Sequence, residues 1–242
     1  MKKSIELCGR TVEYDLQRKN VKNINIRIKP GGIISVSAAP RVSIRAIEEL
    51  MRSNGEYIVK TADRYRKKAE DAPPPPEYSD GERITVIGEE YILSVKEGER
   101  CSAAIHDDIL VLTVKNTSDR ELRRKTTEAF LMEICRERVN ELCERVYPEF
   151  REWLDQYPVI KFRKMKTRWG ICRPGRKEIT FSYMLASAPI ECIEYVVLHE
   201  FCHFAWPDHS KNFYSLLSGF LPDWKARKSK LDSCADLNKF PY

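Results

Sequence analysis

One feature restricts this chain more than any other: a helical stripe of apolar residues that runs straight into a cluster of histidines. Ile190, Ile193, Val196 and Val197 recur at helical spacing, and the same helix continues as His199-Glu200-Phe201-Cys202-His203. Imidazoles at i and i+4 share one helical face, with Cβ atoms about 5–6 Å apart, so both can reach a single metal ion. Imidazole nitrogen suits zinc, and Glu200 projects beside the pair, where it can work on water at the ion. Trp206-Pro207 should end the helix and let the chain swing His209 back. Of the four histidines in the chain, three fall in this window, and the fourth, His106 beside Asp107-Asp108, is expected to be merely exposed. A stripe this apolar marks a core helix. Burying Glu200 and two histidines unpaired would cost several kcal/mol, whereas one Zn2+ ion satisfies all three. The predicted metal ligands are therefore His199, His203 and His209, with Glu200 as the catalytic residue.

The arrangement around that motif can be narrowed. The step from His203 to His209 has the metzincin spacing, but Trp206 occupies the glycine position and no methionine follows Met184, so no Met-turn is available. A glutamate ligand from a later helix is excluded because no Glu follows Glu200. Asp208 and Asp223 are weaker substitutes for His209, and Asp208 could instead orient a histidine. Cys202 points off the histidine face and is assigned to the core. Three neutral imidazoles leave a fourth position for solvent, from which Glu200 can take a proton and pass it to a leaving amine. Tyr214, Tyr195 and Arg168 are the candidate transition-state or substrate contacts.

Upstream, Asn23–Lys29 alternates apolar and polar residues, Pro30-Gly31-Gly32 supplies a turn, and Ile33–Ala38 returns as a second strand. Ser43 caps a helix carrying Ile44, Ile47, Leu50 and Met51, and beyond Gly55 a second helical stretch runs to Lys68. Pro73-Pro74-Pro75-Pro76 reads as an extended connector. Arg83–Ile87 and Tyr91–Val95 flank a hairpin turn, Ile109–Val114 forms another strand, and Ser118-Asp119-Arg120-Glu121 is a capping box opening a long helix that ends at Pro148. Val159–Trp169 and Ile179–Leu185 are expected as strands around Arg173-Pro174-Gly175. The second of these would be an edge along which an extended peptide could add. No internal repeat is apparent. The expected organisation is a basic strand-helix block at residues 1–72, a Pro-rich connector at 73–81 and a catalytic core at 82–242.

Charge separates the same regions. The chain carries +6 overall, residues 1–72 carry +7 and the remainder −1. The N-terminal block could therefore attract a nucleotide or nucleic acid, although such a block is commonly a solvated surface. Eight cysteines without CxxC pairs read as reduced thiols in a cytoplasmic protein. No apolar run approaches a membrane span, and the charged opening lacks a signal peptide's apolar stretch.

The string His199-Glu200-x-x-His203-x5-His209-Ser210, with Arg168-Trp169-Gly170-x-Cys172 upstream, resembles the YgjP-like metallopeptidase family, relatives of the SprT proteins. Similarity extends to the strand–Pro30-Gly31-Gly32–strand opening, to Ala39-Pro40, and to Ala188-Pro189 before Tyr195-Val196-Val197. Ile171, Ser182 and Tyr214 stand where the family has Ser, Asn and Trp. The resemblance implies an α+β fold, with a zincin-like catalytic core of mixed sheet and HExxH helix behind an N-terminal strand-helix extension. It also implies zinc on His199, His203 and His209, with Glu200 catalytic, and a peptide or protein substrate. The leading expectation is a zinc-dependent metallopeptidase. A metal-dependent nucleotide phosphoanhydride hydrolase (a pyrophosphatase) is the alternative, since the same site could activate water against phosphorus. A non-enzymatic, zinc-containing nucleic-acid-binding module stands third, because structural zinc sites usually close with four protein ligands.

Overall fold

Alternating burial builds the first sheet. The computed structural model describes residues 1–71, 76–165 and 167–237, and its contacts divide the chain into two units, Met1–Pro74 and Pro75–Tyr242. In the first unit, β1 (Lys2–Leu7), β2 (Arg10–Arg18), β3 (Asn25–Lys29) and β4 (Ile33–Ala38) form a sheet of order β1-β2-β4-β3. Val12, Tyr14 and Leu16 of β2 face inward while Thr11 and Glu13 face solvent. Helix α1 (Ile44–Ser53) opens on Ser43, whose Oγ accepts a hydrogen bond from the Ala46 N–H. Helix α2 (Gly55–Glu70) follows, and Tyr14, Val36, Ile47, Met51 and Ile58 form this unit's own core. The strands β1 and β2 went unread in the sequence because their turn rests on Cys8, held at φ 51° ahead of Gly9 at φ 73°, and cysteine is no turn signal.

The second unit begins with the same design. Strands β5 (Arg83–Val86), β6 (Glu89–Glu97), β7 (Ser102–His106) and β8 (Ile109–Val114) pair in the order β5-β6-β8-β7. In both sheets the outer pairs are antiparallel and the central pair (β2/β4, β6/β8) is parallel. The first hairpin also turns alike, with Ile87 at φ 50° and Gly88 at φ 85° matching Cys8-Gly9. The expectation of no repeat is thus corrected: the topology repeats, although side-chain identity hardly does.

Three further expectations shift. The long helix α3 (Arg120–Val146) is capped by Asp119, whose carboxylate accepts from the Leu122 N–H, and not by Ser118. The Ser118 N–H is already held by the Asn116 side chain, which moves the helix start by one residue. The span Val159–Trp169 is not one strand: β9 (Val159–Arg163) stops, and β10 begins at Gly170 (Gly170–Arg173). Strand β11 (Glu178–Ser182) lies between them in the order β10-β11-β9, parallel to β9 and antiparallel to β10. The chain must therefore leave β9 and cross past β11 to reach the other edge. It follows that Ile179–Leu185 is no edge strand. It is central, paired on both sides, and ends at Ser182, after which Tyr183–Ser187 forms a 3-10 turn.

Helices α4 (Ile190–Ala205), α5 (Lys211–Phe220) and α6 (Trp224–Leu237) complete the unit. Residues 77–81 of the expected connector are bound into it: Tyr78 is buried, and the Arg123 guanidinium donates to the carbonyls of Glu77 and Tyr78. Pro73–Pro75 lie outside the described residues. All eight cysteines are free, four of them buried, and burial pushes the Cys135 thiol up to about 12. No helix among the described residues is long and apolar enough to cross a membrane.

Candidate metal centre

Helix α4 is apolar on nearly every face: Cys192, Ile193, Val197, Phe201 and Cys202 are fully buried. Its start is fixed by the β5–β6 turn, where the Ile87 N–H donates to the Ala186 carbonyl. Gly88 lies so close that an added Cβ would stand 2.7 Å from Pro189 Cα. With its axis thus buried and its start anchored, α4 carries His199, Glu200 and His203 into a cavity of about 460 Å³. At Trp206 the backbone turns extended, and the loop through Pro207 returns His209 to the same place.

The donor atoms of His199, His203 and His209 all lie within 4.8 Å of one another. His199 Nε2 and His209 Nε2 are 3.1 Å apart. Two nitrogens on one tetrahedral ion, each at about 2.0–2.1 Å, would stand roughly 3.3 Å apart, so the His199–His209 pair has the separation a shared divalent cation requires, with the His203 donor close by. Protonation agrees. Burial, with the neighbouring His203 and His209, holds His199 down to about 3, and burial with His209 also lowers His203, so both present neutral donors. His203 Nδ1 is 3.2 Å from the Trp206 carbonyl, which can only accept, so Nδ1 carries the proton and Nε2 keeps its lone pair. His199 Nδ1 is buried without a hydrogen-bond partner among the described residues.

Phe213 was not picked out in the sequence. Fully buried on the first turn of α5, its ring lies 5.0, 4.8 and 4.9 Å from those of His199, His203 and His209. The position is set by Ser210, the N-cap whose Oγ accepts from the Phe213 N–H. The only sequence signal was that cap three residues before an aromatic.

Glu200 is 5% exposed and lies against β10. Burial raises its carboxyl to about 8, against the pull of the Cys172 N–H, which it accepts, and of Arg168. The ladder explains the donor. The Ser182 N–H donates to the Trp169 carbonyl, so by antiparallel alternation Gly170 and Cys172 turn their backbone groups away from β11, towards the open edge of β10. Gly170 is equally demanding: a Cβ there would meet Glu200 Oε1 at 2.5 Å. Replacing Gly170 with Ala should therefore displace the carboxylate and lower kcat by about 100-fold while leaving metal content unchanged. Metal analysis beside steady-state kinetics checks this, and unchanged kcat would contradict it.

The other predicted contacts divide. Arg168 and Tyr195 line the cavity, and burial raises the Tyr195 hydroxyl to about 12, keeping it a neutral donor. Tyr214 stacks between His209, at 6.2 Å, and Trp224, at 4.9 Å. Cys202 is core, Asp223 is tied to Arg227, and His106 is exposed. Asp208 is exposed and tends to raise His203.

Protonation also sets how the metal-free protein responds to pH. Glu200 is raised from 4.5 to about 8, so the folded chain holds an extra proton between those values and stability falls as pH rises. His199, lowered from 6.5 to about 3, works oppositely but only below 6.5. Between pH 6.5 and 8, Glu200 acts alone of the two. The unfolding free energy from urea melts in chelator should then fall, by about 1 kcal/mol per pH unit. Glu200→Gln should flatten that slope, and a slope that survives would assign it elsewhere.

A buried histidine-glutamate helix, a convergent imidazole trio and a mixed sheet edge beside them define a metal-dependent hydrolase. Residues 22–234 match the family described as YgjP-like, metallopeptidase domain, and the chain belongs to that family. No curated protein matches it.

Proposed function

We propose that this enzyme is a zinc-dependent peptidase in which His199, His203 and His209 hold the ion and Glu200 is the general base. The observation that carries the reading is Glu200 itself, buried on the helical turn between two metal-ligating positions and aimed by a backbone N–H of an open strand edge. A zinc ion held by His199, His203 and His209 would supply Lewis acidity, the chemistry that makes water a nucleophile near neutral pH.

The chain's own residues do the rest. Glu200 accepts the proton of the attacking water and returns it to the departing amine, which a carboxyl titrating near neutrality can do in both directions. The Cys172 N–H fixes the carboxylate's rotation. Arg168 and Tyr195 are the donors proposed for the oxyanion, and Tyr214 steadies His209 by stacking on it. An extended substrate would pair along β10 through the outward-facing groups that Glu200 leaves open, the backbone of Gly170 and the Cys172 carbonyl, in place of the edge expected at Ile179–Leu185.

Purified full-length protein should cleave a mixture of unstructured peptides, lose that activity in chelator and regain it with zinc. Release of phosphate from nucleoside triphosphates, abolished by Glu200→Gln and without any peptide cleavage, would replace this reading by a phosphoanhydride hydrolase.

A further inference from the structure

The acid–base balance of the second unit conceals a local extreme. Between Lys161 and Lys177 the sequence holds eight Lys or Arg residues and no acidic one. The fold gathers several of them on one face of the sheet beside the metal centre. Register places Lys161 beside Thr180 and Arg163 beside Ser182, with Ile171 and Arg173 opposite Thr180 and Glu178 on the other flank. These residues share a parity along their strands, so their side chains share a face.

That face is concave. A cavity of about 390 Å³ is lined by Arg163, Lys164, Met165, Ile171, Arg173 and Thr180. Ile171 also lines the metal cavity, so the two meet at a single residue of β10. Two carboxylates face the basic groups. Glu178 is shared by Lys161 and Arg173, and Glu128, itself paired with Arg124, takes Lys164 at 3.3 Å. Four cations against these two leave a positive excess, and Arg163 makes no ion pair among the described residues.

The geometry points to an acidic-side-chain subsite: the substrate is a peptide carrying Asp or Glu at alternate positions close to the bond cut. This rests on the proposed pairing of substrate along β10. A strand added there rises about 3.4 Å per residue and turns every second side chain to the face of Ile171 and Arg173. Glu200 marks the reacting centre beside Gly170 and Cys172; Arg163, paired with Ser182, lies level with Trp169 on one side of it and Arg173 on the other, so the favoured acidic residues fall within about four positions of the cut bond on either side. Alternation along an extended backbone favours a peptide over a free nucleotide, whose phosphates cluster at one point.

The test uses full-length zinc-loaded protein and quenched fluorescent peptides of one sequence. Alternate positions on either side of the cut bond carry Glu, Ala or Lys, and nucleoside triphosphates run in parallel. Glu peptides should be cut with kcat/KM at least 10-fold above Ala peptides, and the advantage should shrink between 50 and 500 mM salt, as about a threefold shorter screening length requires. Arg163→Glu should erase the preference while leaving cleavage of the Ala peptide unchanged, and Arg163→Lys should retain it. Equal cleavage of Glu, Ala and Lys peptides overturns the subsite and leaves the peptidase intact, as does an Arg163→Glu loss that falls equally on every peptide. If no peptide is cut and nucleotides are hydrolysed, the peptidase reading falls and the subsite with it.

Discussion

Glu200→Gln should bind zinc as the parent does and turn over peptides about 10³-fold more slowly or worse. Glutamine keeps the size of the side chain and an oxygen to accept the Cys172 N–H, so the contact seen at Glu200 survives. What is lost is the ability to take a proton, and a positioned general base is typically worth about 10²–10⁴ in rate. The substitution also removes a buried ionisable group held near neutrality, so metal-free stability above pH 7 should rise even as activity vanishes. Such divergence separates a catalytic residue from a structural one. Metal analysis, single-turnover kinetics and urea melts in chelator on one preparation would show it. Rapid turnover in the Gln variant would remove Glu200 from the mechanism.

Loss of the ion is the second large effect, and His209→Ala should produce it. His199 and His203 are placed by the helix that carries them, whereas His209 depends on the loop after Trp206 and on stacking against Tyr214. Removing a partner that merely orients a ligand costs roughly 10–100-fold in metal affinity, so removing a donor outright should exceed about 100-fold. With it should go peptide cleavage and the rise in Tm expected when zinc is added to the parent chain, because a ligand stabilises only the state that binds it. Zinc competition with a chromophoric chelator measures the affinity, and thermal melts with and without zinc provide the independent readout. Full retention of the ion in His209→Ala would show that another group, Asp208 being nearest in sequence, completes the sphere.

The candidate site was legible because its chemistry is local. His199, Glu200 and His203 lie within five residues on one helix, and the apolar stripe before them declared that the helix would be buried. Their mutual geometry follows from 3.6 residues per turn and needs no knowledge of the remaining chain. Legibility declined with sequence separation. Gly170 and Cys172 lie about thirty residues upstream in a short strand; the motif Arg168-Trp169-Gly170-x-Cys172 marked them, but that a backbone N–H and the lack of a Cβ there bear on Glu200 follows only from the strand's position against the helix. Phe213 looked like an ordinary core aromatic until the loop closed the three imidazoles over it.

Strand periodicity identified β3, β4, β5, β6 and β8, yet it could not say which strands would be neighbours. A period of two records which face is buried and carries nothing about pairing partners. The strand expected at an edge is therefore central, and the repeated strand order of the two four-stranded sheets emerged only from their ladders. Charge behaved likewise. Summed over residues 82–242 it nearly cancels, and only the register of β9, β10 and β11 collects Lys161, Arg163 and Arg173 on one face next to the reacting centre.

By itself, then, the sequence determined a buried helix bearing two imidazoles and a carboxylate, with a third imidazole within reach, since spacing along one helix is a matter of covalent geometry. Tertiary structure alone decided which backbone edge faces that carboxylate, what presses the imidazoles together and where positive charge gathers. Each of those depends on groups far apart in the chain being brought together by sheet register and core packing.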